Sequence, residues 1–327
     1  MCGALAAGIG GVVSFGSAAA GTVPVRLQLG WLPGTNQAGD VVARRLGYYA
    51  QEGLDLAIQP GGPHFDGIAS VVAGRSQVGQ VSSSSSVMFA VSQGLPIRCF
   101  AVGAQQHPYC YFSLRRNPVR RPADLAGKRV GVQPTGGPLL QALLARHGID
   151  PASVQVVPIG GSMAPLLTGQ VDVATGWLTN TTALRVLGKD RVDLPLWDNG
   201  IRLYALPYYA QARVVQQEPD LLARFLRASA RGWLHAEAHR DEAVDLLVRE
   251  YPNLDRANER VALDTMLRYS FGGRAAGEGW GTMDPGTWRE QVELYARLGM
   301  FTARVPRVEE VMSLAVLEAT QSARRRG

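Results

Sequence analysis

The chain has 327 residues, of which 46% are hydrophobic and 18% are charged, and its formal net charge is +6. This length exceeds what one hydrophobic core usually organises, so the chain is expected to form two lobes. The 33 Lys and Arg residues are scattered, and the one basic run occupies positions 324–326. We therefore expect a solvated basic surface and no nucleic-acid partner.

The first 21 residues resemble a secretory leader. Residues 3–20 are small and apolar and end in an Ala-rich stretch, although no basic segment precedes them. We expect residues 1–21 to be a signal-like leader and the remaining chain to be exported to the periplasm or another extracytoplasmic space. No later apolar run approaches the ~20 residues that a membrane-spanning helix needs.

The cysteines and histidines indicate neither a metal site nor a bound cofactor. Cys2 falls within the predicted leader, so Cys99 and Cys110 either form one disulfide, which an exported compartment permits, or remain two buried thiols. The five histidines are dispersed; His235 and His239 lie four apart on a predicted helix but lack a third ligand.

The first structured stretch predicts a strand, a turn and a helix. Apolar and polar residues alternate over 25–29, glycine and proline break the pattern, and apolar positions recur at helical spacing from Ala38 until Gly53. Turns of this kind lie at the carboxyl ends of strands in open α/β sheets, where ligands bind. Trp31 and Asn36 are therefore candidate ligand contacts; the alternative is that Trp31 covers the core and Asn36 shapes the turn.

The same order of elements occurs twice along the chain. Strands are expected near 54–58, 78–81, 97–104, 109–114, 129–133, 154–158, 171–175 and 204–209, and helices near 67–73, 87–93, 138–147 and 163–167. The pattern restarts at Pro122, which predicts an α/β fold of two similar lobes with mixed, mostly parallel sheets around a ligand cleft. Beyond the last strand the chain is mainly helical, and Gly232 is placed to interrupt the first long amphipathic helix.

Several segments carry a family resemblance. They read LGWLPGTNQAG, ARRLGYYAQEGLDL, VAGRSQVGQVSSSSS, DLAGKRVGVQPTGG, LLTGQVDVATGWLTN and MDPGTWREQVELYARLGM. Together they resemble the solute-binding proteins of ABC importers, in the group that takes thiamine-precursor pyrimidines, nitrate, sulfonates and taurine. The resemblance implies a fold like that of type II periplasmic binding proteins, a monomer, and a membrane permease and an ATPase as partners. It also implies that residues 22–115 and 205–327 form lobe 1 and residues 116–204 form lobe 2.

Twelve residues are candidate contacts for a small solute in the cleft. They are Trp31, Asn36, His64, Ser82, Ser83, Tyr109, Thr135, Gly136, Gly137, Trp177, Asn180 and Tyr204. The serines offer hydroxyls and backbone N–H groups, with helix capping as the alternative, and the glycines allow close backbone approach to a ligand. Trp177, opposite Trp31, would sandwich a ring. The alternative for the tyrosines is packing at the hinge, and for the histidine a surface loop.

One position departs from the pyrimidine-binding members of the group that the chain resembles. Those members carry an acidic residue directly after the Asn of a Trp-Thr-Asn run, whereas here Thr181 follows Asn180. A carboxylate accepts hydrogen bonds from an exocyclic amine and a ring nitrogen together. This departure argues against an aminopyrimidine as the solute.

The function expected from the sequence is that of an exported substrate-binding component that closes on a small organic solute, pyrimidine-like or otherwise heteroaromatic. A sulfonate-, taurine- or nitrate-binding protein of the same fold is one alternative. An enzyme of pyrimidine or cofactor biosynthesis on this scaffold is another. No catalytic residue is predicted, because G-x-S-x-G and H-E-x-x-H motifs are missing, as is the Cys-rich signature that the resemblance implies for eukaryotic pyrimidine synthases.

Overall fold

The computed structural model describes residues 21–62 and 65–326. Residues 1–20 of the predicted leader and the candidate contact His64 lie outside these ranges. None of the described helices combines the length and the apolar composition needed to cross a membrane.

The described residues form ten strands in two five-stranded sheets. The strands are β1 (Val23–Leu29), β2 (Leu54–Gln59), β3 (Val78–Gln80), β4 (Ile97–Ala104), β5 (Tyr109–Leu114), β6 (Arg129–Val132), β7 (Gln155–Pro158), β8 (Val173–Trp177), β9 (Arg191–Pro195) and β10 (Ala205–Gln211). Their order is β2-β1-β3-β10-β4 in the first sheet and β7-β6-β8-β5-β9 in the second. Strand β9 has no counterpart in the prediction.

The two sheets have the same topology. In the first, β10 runs antiparallel to both of its neighbours while β1 pairs in parallel with β2 and β3. In the second, β5 takes the corresponding antiparallel place, and β6 pairs in parallel with β7 and β8. Four strands in each sheet thus point one way and one runs against them, which confirms two similar lobes with mixed, mostly parallel sheets.

The helices cover the sheets and dominate the C-terminal third. They are α1 (Ala38–Arg45), α2 (Tyr48–Gln51), α3 (Gly67–Val72), α4 (Ser84–Ser92), α5 (Gly137–Arg146), α6 (Ala164–Leu167), α7 (Thr181–Leu184), α8 (Ala212–Gln217), α9 (Pro219–Ala238), α10 (Arg240–Glu250), α11 (Arg256–Phe271), α12 (Ala275–Glu278), α13 (Pro285–Arg297), α14 (Val308–Val311) and α15 (Ala315–Glu318). Short 3₁₀ helices occupy Thr35–Gln37, Pro122–Leu125, Pro151–Ser153, Arg185–Asp190 and Ser322–Arg324.

The chain passes between the lobes twice, from β4 to β5 and from β9 back to β10. We call the lobe built on the first sheet the first lobe and the other the second lobe. The two connections are the covalent links about which the lobes would turn. The predicted limit at residues 115/116 places β5 in lobe 1, whereas β5 pairs within the second sheet. The exact lobe limits stay a prediction.

The expected interruption of the long amphipathic helix at Gly232 is wrong. Helix α9 continues through this residue, and Gly232 instead lies against α1. A Cβ atom at Gly232 would come within 2.0 Å of the Gly39 carbonyl oxygen, and one at Gly39 would meet the Trp233 ring at 2.2 Å. These glycines therefore serve the close packing of two helices, which outweighs their poor helix propensity.

Helix α1 also carries a buried carboxylate, that of Asp40. Asp40 is fully buried; its oxygens accept hydrogen bonds from the Tyr208 hydroxyl at 2.6 Å and the Tyr49 hydroxyl at 3.1 Å. The Tyr49 hydroxyl also bonds Ser229 Oγ at 2.7 Å. Removal from water raises the pKa of Asp40 from 3.8 to about 6, although the hydrogen bonds act in the opposite direction.

The two remaining cysteines lie on different sheets, Cys99 on β4 and Cys110 on β5, and both are buried free thiols. The sequence left two alternatives, one disulfide or two buried thiols, and the structure shows the two separate thiols. Within the described ranges, no group of three or more His, Cys, Asp or Glu side chains could hold a metal ion.

Candidate ligand-binding site

A cleft of about 780 Å³ lies where the carboxyl ends of the parallel strands of both lobes meet. It is lined by residues 30–37, 80–82, 133–135, 159–161 and 253–255, together with Trp177, Thr179, Asn180, Thr182, Leu206 and Glu259. Residues at or just beyond the ends of β1, β3, β6, β7 and β8 thus converge on one space. Its volume and its mixture of aromatic and amide side chains are typical of a site for a small organic molecule.

Six of the predicted contacts line this cleft. They are Trp31, Asn36, Ser82, Thr135, Trp177 and Asn180. Both tryptophans are half-buried, and they come from different lobes. The Trp177 ring rests edge-on against His107, with 5.1 Å between ring centroids. Burial lowers the pKa of His107 to about 3, so a neutral imidazole supports the indole.

Three of the other predicted contacts are buried behind the lining. Ser83 is the N-cap of α4, which begins at Ser84 rather than near Val87, because the Ser83 hydroxyl accepts from the backbone N–H of Ser85 at 3.2 Å. Tyr204 accepts from the backbone N–H of Asp284 at 3.1 Å and packs on a buried tryptophan.

Tyr109 lies on β5, and its hydroxyl has no hydrogen-bond partner among the described residues. This hydroxyl lies beside Gly136, where a Cβ atom would come within 1.9 Å of it. Gly136 therefore makes room for the tyrosine. Gly137 begins α5 with no atom near its missing side chain, and neither glycine lines the cleft.

The 3₁₀ helix Thr35–Gln37, which we call the cleft turn, fixes an amide from the neighbouring strand. The Gln37 side chain accepts from the backbone N–H of Gly34 at 3.1 Å and donates through Nε2 to Gln80 Oε1 at 2.7 Å. Gln80 is only 2% exposed, and its Nε2 has no partner among the described residues. A backbone N–H is always a donor, so it decides the orientation of both amides. The Gln80 amino group is thereby left as a donor without a partner among the described residues, in a residue that lines the cleft.

The cleft turn also holds a carboxylate from the C-terminal helices. Thr35 donates its backbone N–H to Glu259 Oε2 at 3.0 Å, and its hydroxyl donates to the same oxygen. Glu259 lies on α11. The residue before it, Asn258, accepts a hydrogen bond at its backbone carbonyl from the Thr181 hydroxyl of α7 at 2.7 Å. Helix α11 therefore contacts the cleft turn and the second lobe at once, and it borders the cleft on that side.

The cleft differs in charge from the rest of the protein. The chain carries a net charge of +6, whereas the charged groups among the described lining residues are the carboxylates of Asp255 and Glu259, with no Lys, Arg or His. Asp255 is committed to capping α11, where it accepts from the backbone N–H of Asn258 at 2.9 Å. A lining of this composition does not attract small anions.

Sequence reasoning missed Gln37, Gln80 and Glu259. Gln80 lies two residues before the serine run that begins at Ser82, and it has the one polar side chain in the predicted strand 78–81, which is the one signal that pointed to it. Glu259 lies 224 residues from its partner Thr35 in the chain. No local pattern connects the two positions, because the contact depends on how the C-terminal helices return to the cleft.

The comparisons with known proteins agree with this architecture. The profile of the NMT1/THI5-like family matches residues 34–243, which make up most of the chain. The chain belongs to this family. The match includes the ends of β3, β6, β7 and β8, whereas the end of β1 at Leu29 precedes it.

Three curated relatives of this NMT1/THI5-like protein have names that mention ring compounds. The riboflavin-binding protein RibY of Chloroflexus aurantiacus is 29% identical over 86% of this chain and 82% of its own length. The formylaminopyrimidine-binding protein of Halalkalibacterium halodurans is 28% identical over 82% of this chain and 86% of its own. A 4-amino-5-hydroxymethyl-2-methylpyrimidine phosphate synthase of Legionella pneumophila is 27% identical over 70% of this chain and 74% of its own.

The fold is also that of solved binding proteins. The periplasmic aliphatic sulphonate binding protein SsuA of Escherichia coli superposes with a TM-score of 0.69 at 15% identity, covering 88% of this chain and 97% of its own. At this identity the likeness concerns the fold. The chain thus has the two-lobed fold of the substrate-binding proteins of ABC import systems.

Proposed function

We propose that this protein is the exported substrate-binding component of an ABC importer, and that its cleft takes a small heteroaromatic solute such as a thiamine-precursor pyrimidine or a flavin. The observation that carries the proposal is the cleft itself. It presents Trp31 and Trp177 from different lobes and a fixed amide donor at Gln80 that has no partner among the described residues. The names of the riboflavin- and formylaminopyrimidine-binding relatives support the same class of solute.

The mechanism is hinge closure around the solute. Aromatic faces from the two lobes cover the two faces of a flat ring, which favours the closed state only when a ring lies between them. The bond from the Thr181 hydroxyl to the Asn258 carbonyl joins α7 to α11 and does not involve the solute. The closed protein then delivers its cargo to a membrane permease and its ATPase, as a monomer in the periplasm or another extracytoplasmic space.

A sulfonate, taurine or nitrate ligand is less well supported. Sulfonate and nitrate carry negative charge, and the two charged groups of the described lining are carboxylates. Bringing an anion beside a partly buried carboxylate costs electrostatic free energy that only nearby cations could offset.

An enzyme of pyrimidine or cofactor biosynthesis is a second candidate, since one relative is named as a pyrimidine phosphate synthase. The described cleft lining contains no Cys or His, the residues that most often supply a nucleophile or a general base. This composition favours binding without turnover.

The test combines thermal melting with recovery of the ligand. The purified chain is melted with riboflavin, formylaminopyrimidine, 4-amino-5-hydroxymethyl-2-methylpyrimidine, taurine, an alkanesulfonate and nitrate in turn. Binding at about 100 times the dissociation constant adds about 2.7 kcal/mol to the free energy of unfolding. A raised melting temperature with a ring compound, recovered unchanged after incubation, supports the proposal. Shifts with anions alone contradict the solute class, and chemical conversion of the ring compound favours the enzyme.

A further inference from the structure

The cleft turn carries three consecutive residues, and each of them holds or contributes a different polar group of the cleft lining. Thr35 holds the carboxylate of Glu259. Asn36 presents its own amide, whose Oδ1 is buried without a partner among the described residues. Gln37 fixes Gln80 so that its amino group is uncommitted. One short turn therefore assembles a hydrogen-bonding edge that combines the Gln80 donor with the Glu259 acceptor.

The carboxylate has an oxygen available for a ligand. Both groups of Thr35 donate to Oε2 of Glu259, and no described residue donates to Oε1. Glu259 is half-buried, and it has no ion pair with any described Lys, Arg or His. A fixed, partly desolvated carboxylate without a cation attracts an N–H donor more strongly than it would in open solvent.

We propose that Glu259 is the residue that selects the solute, an inference that rests on the function proposed above. Its Oε1 accepts a hydrogen bond from an N–H group of the ring, while Gln80 Nε2 donates to a ring nitrogen or carbonyl oxygen. The cleft then takes neutral or cationic heteroaromatic solutes that carry both groups on one edge, and it rejects simple anions. An aminopyrimidine and the imide edge of a flavin both meet this requirement. Glu259 thus supplies, from helix α11, the carboxylate that the pyrimidine-binding members carry at the position of Thr181.

The first experiment changes the protein. Glu259→Gln keeps the length of the side chain and an acceptor for Thr35 but removes the negative charge. The matched control is Glu290→Gln, an exposed residue of α13 outside the cleft. Dissociation constants for riboflavin and for 4-amino-5-hydroxymethyl-2-methylpyrimidine are measured by calorimetry, and thermal melting verifies that both variants fold. For whichever of the two ring compounds binds wild type, the affinity should fall about 10-fold or more in Glu259→Gln. It should remain at the wild-type value in Glu290→Gln.

The second experiment changes the ligand and needs no variant to fold. Wild-type protein is titrated with riboflavin methylated on its imide nitrogen, and with the pyrimidine that lacks the 4-amino group. Each analogue removes the N–H donor, so it should bind about 10-fold or more weakly than its parent. In Glu259→Gln the parent and the analogue should differ much less, because two changes to one contact are not additive.

The outcomes separate this inference from the function on which it rests. If a parent ring binds wild type and Glu259→Gln equally well, or if nitrate or an alkanesulfonate binds wild type as tightly as the ring, the selecting role of Glu259 is overturned and the binding function stands. If neither parent ring binds wild type, the proposed function fails and the role of Glu259 fails with it.

Discussion

Gln37 and Gln80 form a buried hydrogen bond of 2.7 Å that joins the cleft turn to the end of β3. Because the Gly34 backbone N–H orients Gln37, the direction of this bond is fixed, and the Gln80 amino group is left as a donor for the solute. A pair of buried amides arranged in this way specifies a ligand acceptor at one defined point of the cleft.

Replacing Gln80 by Met tests this relationship. The change keeps the size of the side chain, removes the donor to the solute and leaves Gln37 Nε2 buried without a partner. We expect the affinity for the ring solute to fall about 10-fold and the free energy of unfolding to fall by about 1–3 kcal/mol. Calorimetry and urea denaturation measure the two effects. Gln141→Met, on the exposed face of α5, is the control and should change neither. Unaltered affinity in Gln80→Met would show that the Gln80 amino group does not donate to the solute.

The tryptophans of the cleft should each contribute to affinity through stacking. Trp31→Ala and Trp177→Ala remove one aromatic face apiece, and each should weaken binding of the ring solute by about 10-fold or more, since stacking adds to the loss of buried apolar area. Quenching of tryptophan fluorescence on titration gives the dissociation constants. Trp197, which lies beside Arg202 outside the cleft, supplies the control variant Trp197→Ala. Equal loss in all three variants would indicate a general effect on folding instead of two stacking contacts.

The neighbouring glycines of the second lobe should respond in opposite ways to a methyl group. Gly136→Ala places its Cβ atom against the Tyr109 hydroxyl, and overpacking of this kind costs about 1–3 kcal/mol. Gly137→Ala meets no atom of the described residues within 4 Å and lies at the start of α5, where alanine stabilises a helix by up to about 1 kcal/mol. Urea denaturation of both variants measures the difference. In a Tyr109→Phe background the cost of Gly136→Ala should shrink, and a cost that persists in full would contradict the assigned clash.

The buried Asp40 predicts a pH dependence of stability. The folded protein keeps the proton up to a pH of about 6, whereas the unfolded chain releases it near 3.8. The folded state therefore binds more protons between these values, and this group's contribution to the free energy of unfolding falls as the pH rises from about 4 to about 6. The total loss is about 3 kcal/mol. The contribution is read as the difference between wild type and Asp40→Asn, since the variant does not titrate at this position. A difference that rises with pH over this range would mean that Asp40 is stabilised as the anion.

The sequence predicted the fold well because the fold depends on local patterns. Alternation and glycine turns located β1 and the strands that follow it, and their repetition predicted two similar lobes. Strand β9 was not predicted, because apolar and polar residues alternate only weakly in its short sequence, RVDLP. At Gly232 the expectation failed because tertiary packing against Gly39 overrides helix propensity.

The cleft could be predicted only in part. Trp31 follows β1 and Trp177 ends β8, and positions at the end of a strand are readable from the sequence. Glu259 comes from a helix far along the chain, and its approach to Thr35 depends on the return of the C-terminal helices. Tyr204 and Ser83 were reasonable candidates that the fold uses for packing and capping.

The central claim is that the cleft binds a neutral heteroaromatic solute, and calorimetric titration of the full chain tests it most directly. Riboflavin, 4-amino-5-hydroxymethyl-2-methylpyrimidine, an alkanesulfonate and nitrate are injected in separate runs under one buffer condition. We predict a saturable one-to-one isotherm with at least one ring compound and no binding heat with either anion. Saturable binding of an anion, with none of the ring compounds bound, would contradict the account.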